Sequence, residues 1–126
     1  MKIKIYYEDT DAGGVVYYAN YLRYFERART EYFSQKGLNI AQLKDEGTQF
    51  VVVHAELDFK SPVRYGDQIE VSVGIKEKSL ASFDLSYEVK NLNTGKTAVI
   101  GSTRMACIGN DFKPIRIPTA ISTKIT

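Results

Sequence analysis

Residues 8–33 read EDTDAGGVVYYANYLRYFERARTEYF, and this stretch decides how the rest of the chain is interpreted. Its first part combines carboxylates with two adjacent glycines, a composition that ends a strand and lets another group approach the backbone closely. Its second part has the 3.6-residue period of an amphipathic helix. The sequence therefore predicts a strand over residues 2–7, an acidic loop, and one long helix over residues 19–36.

Downstream of this helix the hydrophobic period changes to two. A short second helical turn comes first, with Asn39 as its N-cap and Gly47 after it. Alternating segments then begin near residues 51, 69, 83 and 96, and the last three are joined by turns short enough for an antiparallel meander. The inward face of the first segment is predicted to hold Val51, Val53, Ala55, Leu57 and Phe59. The stretch from residue 112, which contains two prolines, is predicted to be a loop and a loosely held tail.

Composition narrows the class of protein. The 126 residues, 44% of them hydrophobic and 25% charged, predict one globular domain over residues 1–126. A net charge of +2 without a basic stripe argues against nucleic-acid binding. A cytoplasmic protein is predicted from three features. They are the lone Cys107, the absence of a signal peptide, and the absence of an apolar run near the ~20 residues of a membrane span.

The last strand has apolar or small residues on both of its faces, so a second subunit is expected to cover one of these faces.

The DxD pair, the glycine pair and the ANY triplet of residues 9–21 resemble the motif of the 4-hydroxybenzoyl-CoA thioesterase class of hot-dog-fold proteins, in particular the YbgC-like acyl-CoA thioesterases associated with the Tol-Pal system. The resemblance implies an α+β hot-dog fold, a five-stranded antiparallel sheet around one long central helix. It also implies assembly into dimers or dimers of dimers, and hydrolysis of acyl-CoA with Asp11 as the catalytic residue. Position 18 carries Tyr18, as in the hydroxybenzoyl-CoA branch, where the YbgC-like branch usually carries histidine.

The residues alone suggest how such a site would work. Asp11 precedes the start of the helix by fewer than ten residues, so a carboxylate and unpaired helix-terminal N–H groups come together. A thioester oxygen would accept a hydrogen bond from the Tyr18 N–H, and Asp11 would act either as nucleophile or through a water as general base. A thiol with a pKa of roughly 8.5 is a good leaving group, so no general acid is required.

Several nearby residues have structural alternatives. Asp9 is predicted to cap the loop or pair with an arginine, and Asn20 to secure the start of the helix. A calcium loop from Asp9 fails because its twelfth position is Asn20 instead of glutamate, and no metal or cofactor is expected. His54 is predicted to be a surface or interface residue and Cys107 a buried small hydrophobe.

Substrate contacts are expected from Gly14 and Val15 at the loop, and from Arg64, Lys76 and Lys78 for the phosphates of coenzyme A. An acyl carrier protein is a further expected partner.

Three rival interpretations of the function are compatible with the same hot-dog architecture. They are a non-catalytic acyl-CoA-binding protein, a dehydratase of hydroxyacyl thioesters, and a structural adaptor in an envelope complex.

Overall fold

One antiparallel sheet and one long helix organise the structure, a computed structural model that describes residues 1–125. The elements are β1 Lys2–Lys4, α1 Asn20–Gln35, α2 Ile40–Asp45, β2 Gln49–Phe59, β3 Gln68–Lys78, β4 Ser82–Asn91, β5 Thr97–Ile108 and α3 Thr119–Ser122. The five strands follow the order β1-β3-β4-β5-β2, and β3, β4 and β5 form the predicted meander. The α+β hot-dog architecture is confirmed. The last residue of the predicted domain, Thr126, lies outside the described residues.

The long helix packs against the inward face of the sheet through aromatic rings. Phe25 stacks on Tyr87 of β4 with ring centroids 4.1 Å apart and planes 8° from parallel. Phe33 meets Phe83 edge to face at 5.8 Å. The alternate residues of β4 are buried, because side chains of a strand alternate between its two faces, and they are Phe83, Leu85, Tyr87 and Val89. The helix is thereby fixed along the middle of the sheet.

The N-terminal elements are shorter than predicted. The first strand ends at Lys4 because the chain enters a 3-10 turn over Tyr7–Asp9, and the Asp9 carboxylate holds that turn by accepting the Tyr6 N–H at 2.8 Å. The helix begins at Asn20, with Ala19 as its N-cap, so the predicted start at residue 19 was one residue early. The second helix has the predicted cap, since the Asn39 side chain accepts the Gln42 N–H.

The predicted inward face of β2 is wrong in part because the strand contains a β-bulge. The register against β5 shifts between Val52 and His54, which leaves Val53 without a paired residue. Before the bulge Phe50, which was not predicted to face inward, packs against the core, and Val53 is 57% exposed. Beyond it Leu57 packs against the core as predicted, and Phe59, at the end of the strand, contacts Tyr21 but is 55% exposed. An extra residue in one strand reverses the alternation beyond it, and no pattern in this sequence marks the insertion.

The predicted loose tail is also wrong. The final segment packs three isoleucines, Ile117, Ile121 and Ile125, into the core and contains the single helical turn α3. On β5, the face turned away from α1 carries Arg104, which binds the Asp84 carboxylate at 2.9 Å. That outer face is therefore polar at its centre, and its coverage by another subunit stays a prediction.

Candidate active site

The acidic loop folds back on itself as a small hairpin. The Tyr17 N–H donates to the Asp9 carbonyl at 2.9 Å, and the Asp11 N–H donates to the Val15 carbonyl at 2.9 Å. Gly14 closes the turn with a φ of 78°, a conformation that glycine adopts without steric cost. Asp11 therefore sits at the tip of a hairpin whose base adjoins the start of α1.

The two carboxylate oxygens of Asp11 have different surroundings. Oδ1 accepts the Gly13 N–H at 2.8 Å, which fixes the side chain in a local turn. A Cβ atom at Gly13 would lie 3.2 Å from this oxygen, so glycine leaves it room. Within residues 1–125, Oδ2 has no hydrogen-bond partner. The exposed Asp11 carboxylate thus has one oxygen held by the protein and one available for chemistry.

Unpaired backbone donors lie at the other side of the loop. Ala19 supplies no side-chain cap to α1, and no acceptor among the described residues binds the N–H of Tyr18 or Ala19. Tyr18 lies before the N-cap, so the prediction that its amide belongs to the first helical turn was wrong. Asn20 does secure the helix start, since its Nδ2 donates to the Asp9 carbonyl at 2.9 Å.

Asp11 and Tyr18 both line a groove of about 380 Å³. Its lining comprises Asp11, Val15, Val16, Tyr18, Tyr21, Phe59, Lys60, Ser61, Pro62 and Val63. The segment after β2 forms one wall and is attached to the loop by the Val16 N–H, which donates to the Val63 carbonyl at 2.8 Å. Asp11 and Tyr18 therefore lie on one largely apolar groove, as an acyl ester with a polar reaction centre would require.

The tyrosines around the groove have raised pKa values. The adjacent Tyr18 hydroxyl raises the pKa of Tyr17, and the Asp11 charge acts in the same direction. Burial raises the pKa of Tyr21 to about 12. Burial and then the Asp9 carboxylate raise the pKa of Tyr24. These hydroxyls are neutral at pH 7 and can only donate or accept hydrogen bonds.

The structure separates the predicted substrate contacts into two groups. Val15 lines the groove and forms a β-bridge with the exposed Arg64, which places Arg64 beside it. Lys76 lies instead with Asp84 and Arg104, on the sheet face turned away from α1. Lys78 donates to the Ser122 carbonyl at 2.7 Å and so ties down the C-terminal turn. Neither Lys76 nor Lys78 lines the groove that holds Asp11, and their contact with the phosphates of coenzyme A stays a prediction.

Other groove residues were not found from the sequence. Phe59 and Lys60 come to the groove because β2 ends beside α1, and Tyr21 contacts Phe59 with ring centroids 5.8 Å apart. The Ser61-Pro62 interruption marks the end of the strand, but periodicity does not say which element lies next to that end. His54 lies outside the groove and pairs with Glu56 at 2.9 Å, and Cys107 is buried.

Two further observations concern the class of protein. None of the helices within residues 1–125 combines the length and hydropathy needed to cross a membrane. Across the same residues, no three histidine, cysteine, aspartate or glutamate side chains group as metal ligands would.

Comparison with known proteins places the chain among thioesterases. A family model described as the thioesterase-like superfamily matches residues 6–125. The acyl-CoA thioester hydrolase YbgC of Escherichia coli is 36% identical over 94% of this chain and 89% of its own length. The acyl-CoA thioesterase YbgC of Helicobacter pylori is 46% identical over 61% of this chain and 56% of its own length. The crystal structure of a 1,4-dihydroxy-2-naphthoyl-CoA thioesterase from Synechocystis superposes with a TM-score of 0.91 at 26% identity, covering 99% of this chain and 93% of that one.

Proposed function

The chain belongs to the thioesterase-like superfamily, and from this we propose that it hydrolyses acyl-CoA thioesters to a free acid and coenzyme A. The observation that carries the proposal is one largely apolar groove lined by both Asp11, whose Oδ2 is unpaired, and Tyr18, whose backbone N–H is unpaired among the described residues. The polar groups suit the thioester carbonyl, and the apolar wall suits the acyl group.

Charge stabilisation comes from the backbone. As a nucleophile adds to the thioester carbonyl, its oxygen becomes negative and accepts a hydrogen bond from the Tyr18 N–H. Breakdown of the tetrahedral species expels the coenzyme A thiolate, which water protonates. Loss of one such donor typically slows an enzyme about 100- to 1,000-fold, so the backbone N–H is a major contributor to the rate.

Asp11 has two routes open to it. In the first, Oδ2 attacks the carbonyl carbon, the C–S bond breaks, and water hydrolyses the resulting mixed anhydride. In the second, Oδ2 takes a proton from a water that attacks the same carbon. Hydroxylamine distinguishes these routes in a rapid-quench experiment, because it converts an anhydride on Asp11 into a hydroxamate on the protein.

A second copy of the chain completes the site in this proposal. β2 is an 11-residue edge strand, and the exposed Val52 and Val53 lie on it next to its bulge. A long apolar edge strand is a template for pairing with another chain. Pairing of β2 with the β2 of a second copy would cover the exposed Phe59 at the groove. The dimer follows from this edge, and a dimer of dimers would need a second interface.

The phosphates of coenzyme A need cations. Lys60 lines the groove and Arg64 lies beside Val15, so both can meet the nucleotide where it leaves the groove. Gly14, next to Asp11 in the hairpin turn, leaves the backbone open for the pantetheine arm, since nothing lies within 4 Å of where its Cβ would be.

We also propose that residues 1–126 form a single domain, that an acyl carrier protein is a partner, and that the protein is cytoplasmic.

A thiol-release assay with short, long and aromatic acyl-CoA substrates tests the proposed function. We expect saturable release of coenzyme A by the wild-type protein from at least one substrate class. Binding of acyl-CoA without turnover of any substrate would contradict hydrolysis and favour the non-catalytic binding protein. Release of water from a hydroxyacyl-CoA, with the thioester intact, would favour the dehydratase.

A further inference from the structure

Asp9 contacts both halves of the candidate active site. Its carbonyl accepts the Tyr17 N–H and the Asn20 Nδ2, each at 2.9 Å. Its carboxylate accepts the Tyr6 N–H at 2.8 Å through Oδ2. One half-buried residue therefore joins the 3-10 turn, the base of the hairpin and the start of α1.

The buried side chain of Tyr24 lies beside the same carboxylate. Tyr24 follows Asn20 by one helical turn, so both side chains project from the same face of α1. The Tyr24 side chain is 0% exposed, and its hydroxyl has no hydrogen-bond partner among the described residues. The charge of Asp9 acts on this hydroxyl. Helix α1 thus presents an amide to the Asp9 carbonyl and a hydroxyl toward the Asp9 carboxylate.

Asp9 is well placed to set the geometry of the reaction centre without touching the substrate. It lies two residues before Asp11 in one arm of the hairpin, and it binds the residue that precedes Tyr18. A shift of Asp9 would move the Asp11 carboxylate and the Tyr18 N–H relative to each other. Asp9 is not part of the groove lining, so it acts through these neighbours.

We propose that Asp9, which binds Tyr17 and Asn20 through its carbonyl, is a positioning residue that aligns the Asp11 carboxylate with the Tyr18 N–H. This inference rests on the proposed thioester hydrolysis. A displacement near 1 Å can slow an enzyme about 100-fold, so loss of this support should act on kcat more than on KM.

Asp9→Ala and Asp9→Asn test the proposal together. Asp9→Ala removes every side-chain contact, and we expect kcat to fall about 10- to 100-fold with KM within about twofold of wild type. Asp9→Asn keeps an oxygen that can accept the Tyr6 N–H, so it should restore most of kcat and leave the pH profile unchanged. If Asp9 were instead a general acid or base, kcat would fall in both variants.

Tyr24→Phe removes only the hydroxyl and has a matched control. We expect a several-fold loss of kcat, and little further loss when it is combined with Asp9→Ala, because the Tyr24 hydroxyl would act on the reaction centre only through the Asp9 carboxylate. Tyr87→Phe removes another buried hydroxyl, which contacts Thr103 at 2.7 Å in the core. It should lower Tm and leave kcat unchanged.

A readout independent of turnover completes the test. The amide resonances of Tyr18 and Ala19 should shift in Asp9→Ala and Tyr24→Phe, return close to their wild-type positions in Asp9→Asn, and stay unchanged in Tyr87→Phe. The positioning role would be overturned if Asp9→Ala and Tyr24→Phe kept both the wild-type resonances and the wild-type kcat. It would also be overturned if Asp9→Asn lost as much activity as Asp9→Ala. If Asp9→Ala does not fold, the positioning role is tested by comparing kcat and the amide resonances of Tyr24→Phe with those of Tyr87→Phe. A wild type that releases no thiol, while the resonances shift as expected, would remove the proposed function and leave the structural coupling intact.

Discussion

At the scale of single residues, the local turn determines what Asp11 can do. Because Oδ1 accepts the Gly13 N–H, the side chain is held in a local turn, and the unpaired Oδ2 is the atom that the proposed mechanism uses. The sequence placed Asp11 near Tyr18 correctly, since few residues separate them. It could not show that the Tyr18 amide precedes the helix, because the N-cap depends on backbone geometry at Ala19.

Cys107 gives a prediction at the same scale. Burial raises the pKa of its thiol, which lowers the thiolate fraction at neutral pH. The folded protein should therefore react negligibly with a chromogenic disulfide reagent at pH 7, and one thiol should appear after unfolding in denaturant. Rapid labelling of the folded protein would contradict the burial of Cys107.

At the scale of elements, the closest approach of helix and sheet occurs at Gly101. A Cβ atom there would lie 2.7 Å from the Phe25 ring and 2.9 Å from the Glu56 carbonyl oxygen. The sequence predicts the long helix and the antiparallel meander of β3, β4 and β5, since each follows one hydrophobic period. It does not predict the bulge at Val53 or the buried tail, because both depend on contacts between distant segments.

Gly101→Ala should destabilise the fold. Overpacking of a filled core typically costs about 1–3 kcal/mol, and the free energy of unfolding from denaturant titration should fall by that amount. Gly74→Ala is the matched control, because its Cβ would meet only the Ser86 Oγ at 3.9 Å. Equal stability of the two variants would contradict the close approach of α1 to β5.

At the scale of the whole molecule, the groove is open on one side and the sheet ends in an exposed strand. The groove lies at the end of this edge strand, β2, where the exposed Phe59 lines it. The sequence predicted a second subunit from the apolar faces of β5. The dimer proposed above uses the β2 edge instead, and coverage of the outer face of β5, which carries the Arg104–Asp84 ion pair, stays a prediction.

Val53→Asp tests this assembly. A charge on an edge strand opposes pairing with another strand, so the variant should sediment as a monomer of 14.2 kDa while the wild type has at least twice that mass. Thioesterase activity should fall with the loss of the partner. Leu80→Asp, in the exposed turn between β3 and β4, is the control and should keep the wild-type mass. A monomeric wild type would contradict the proposed dimer.

The most direct test of the catalytic proposal compares two aspartates in similar turns. Asp11 accepts the Gly13 N–H, and Asp111 accepts the Lys113 N–H at 3.2 Å with the same spacing. For the best substrate in the thiol-release assay, Asp11→Asn should lower kcat by at least about 100-fold with acyl-CoA binding retained, whereas Asp111→Asn should match wild type. Full activity in Asp11→Asn would contradict the account.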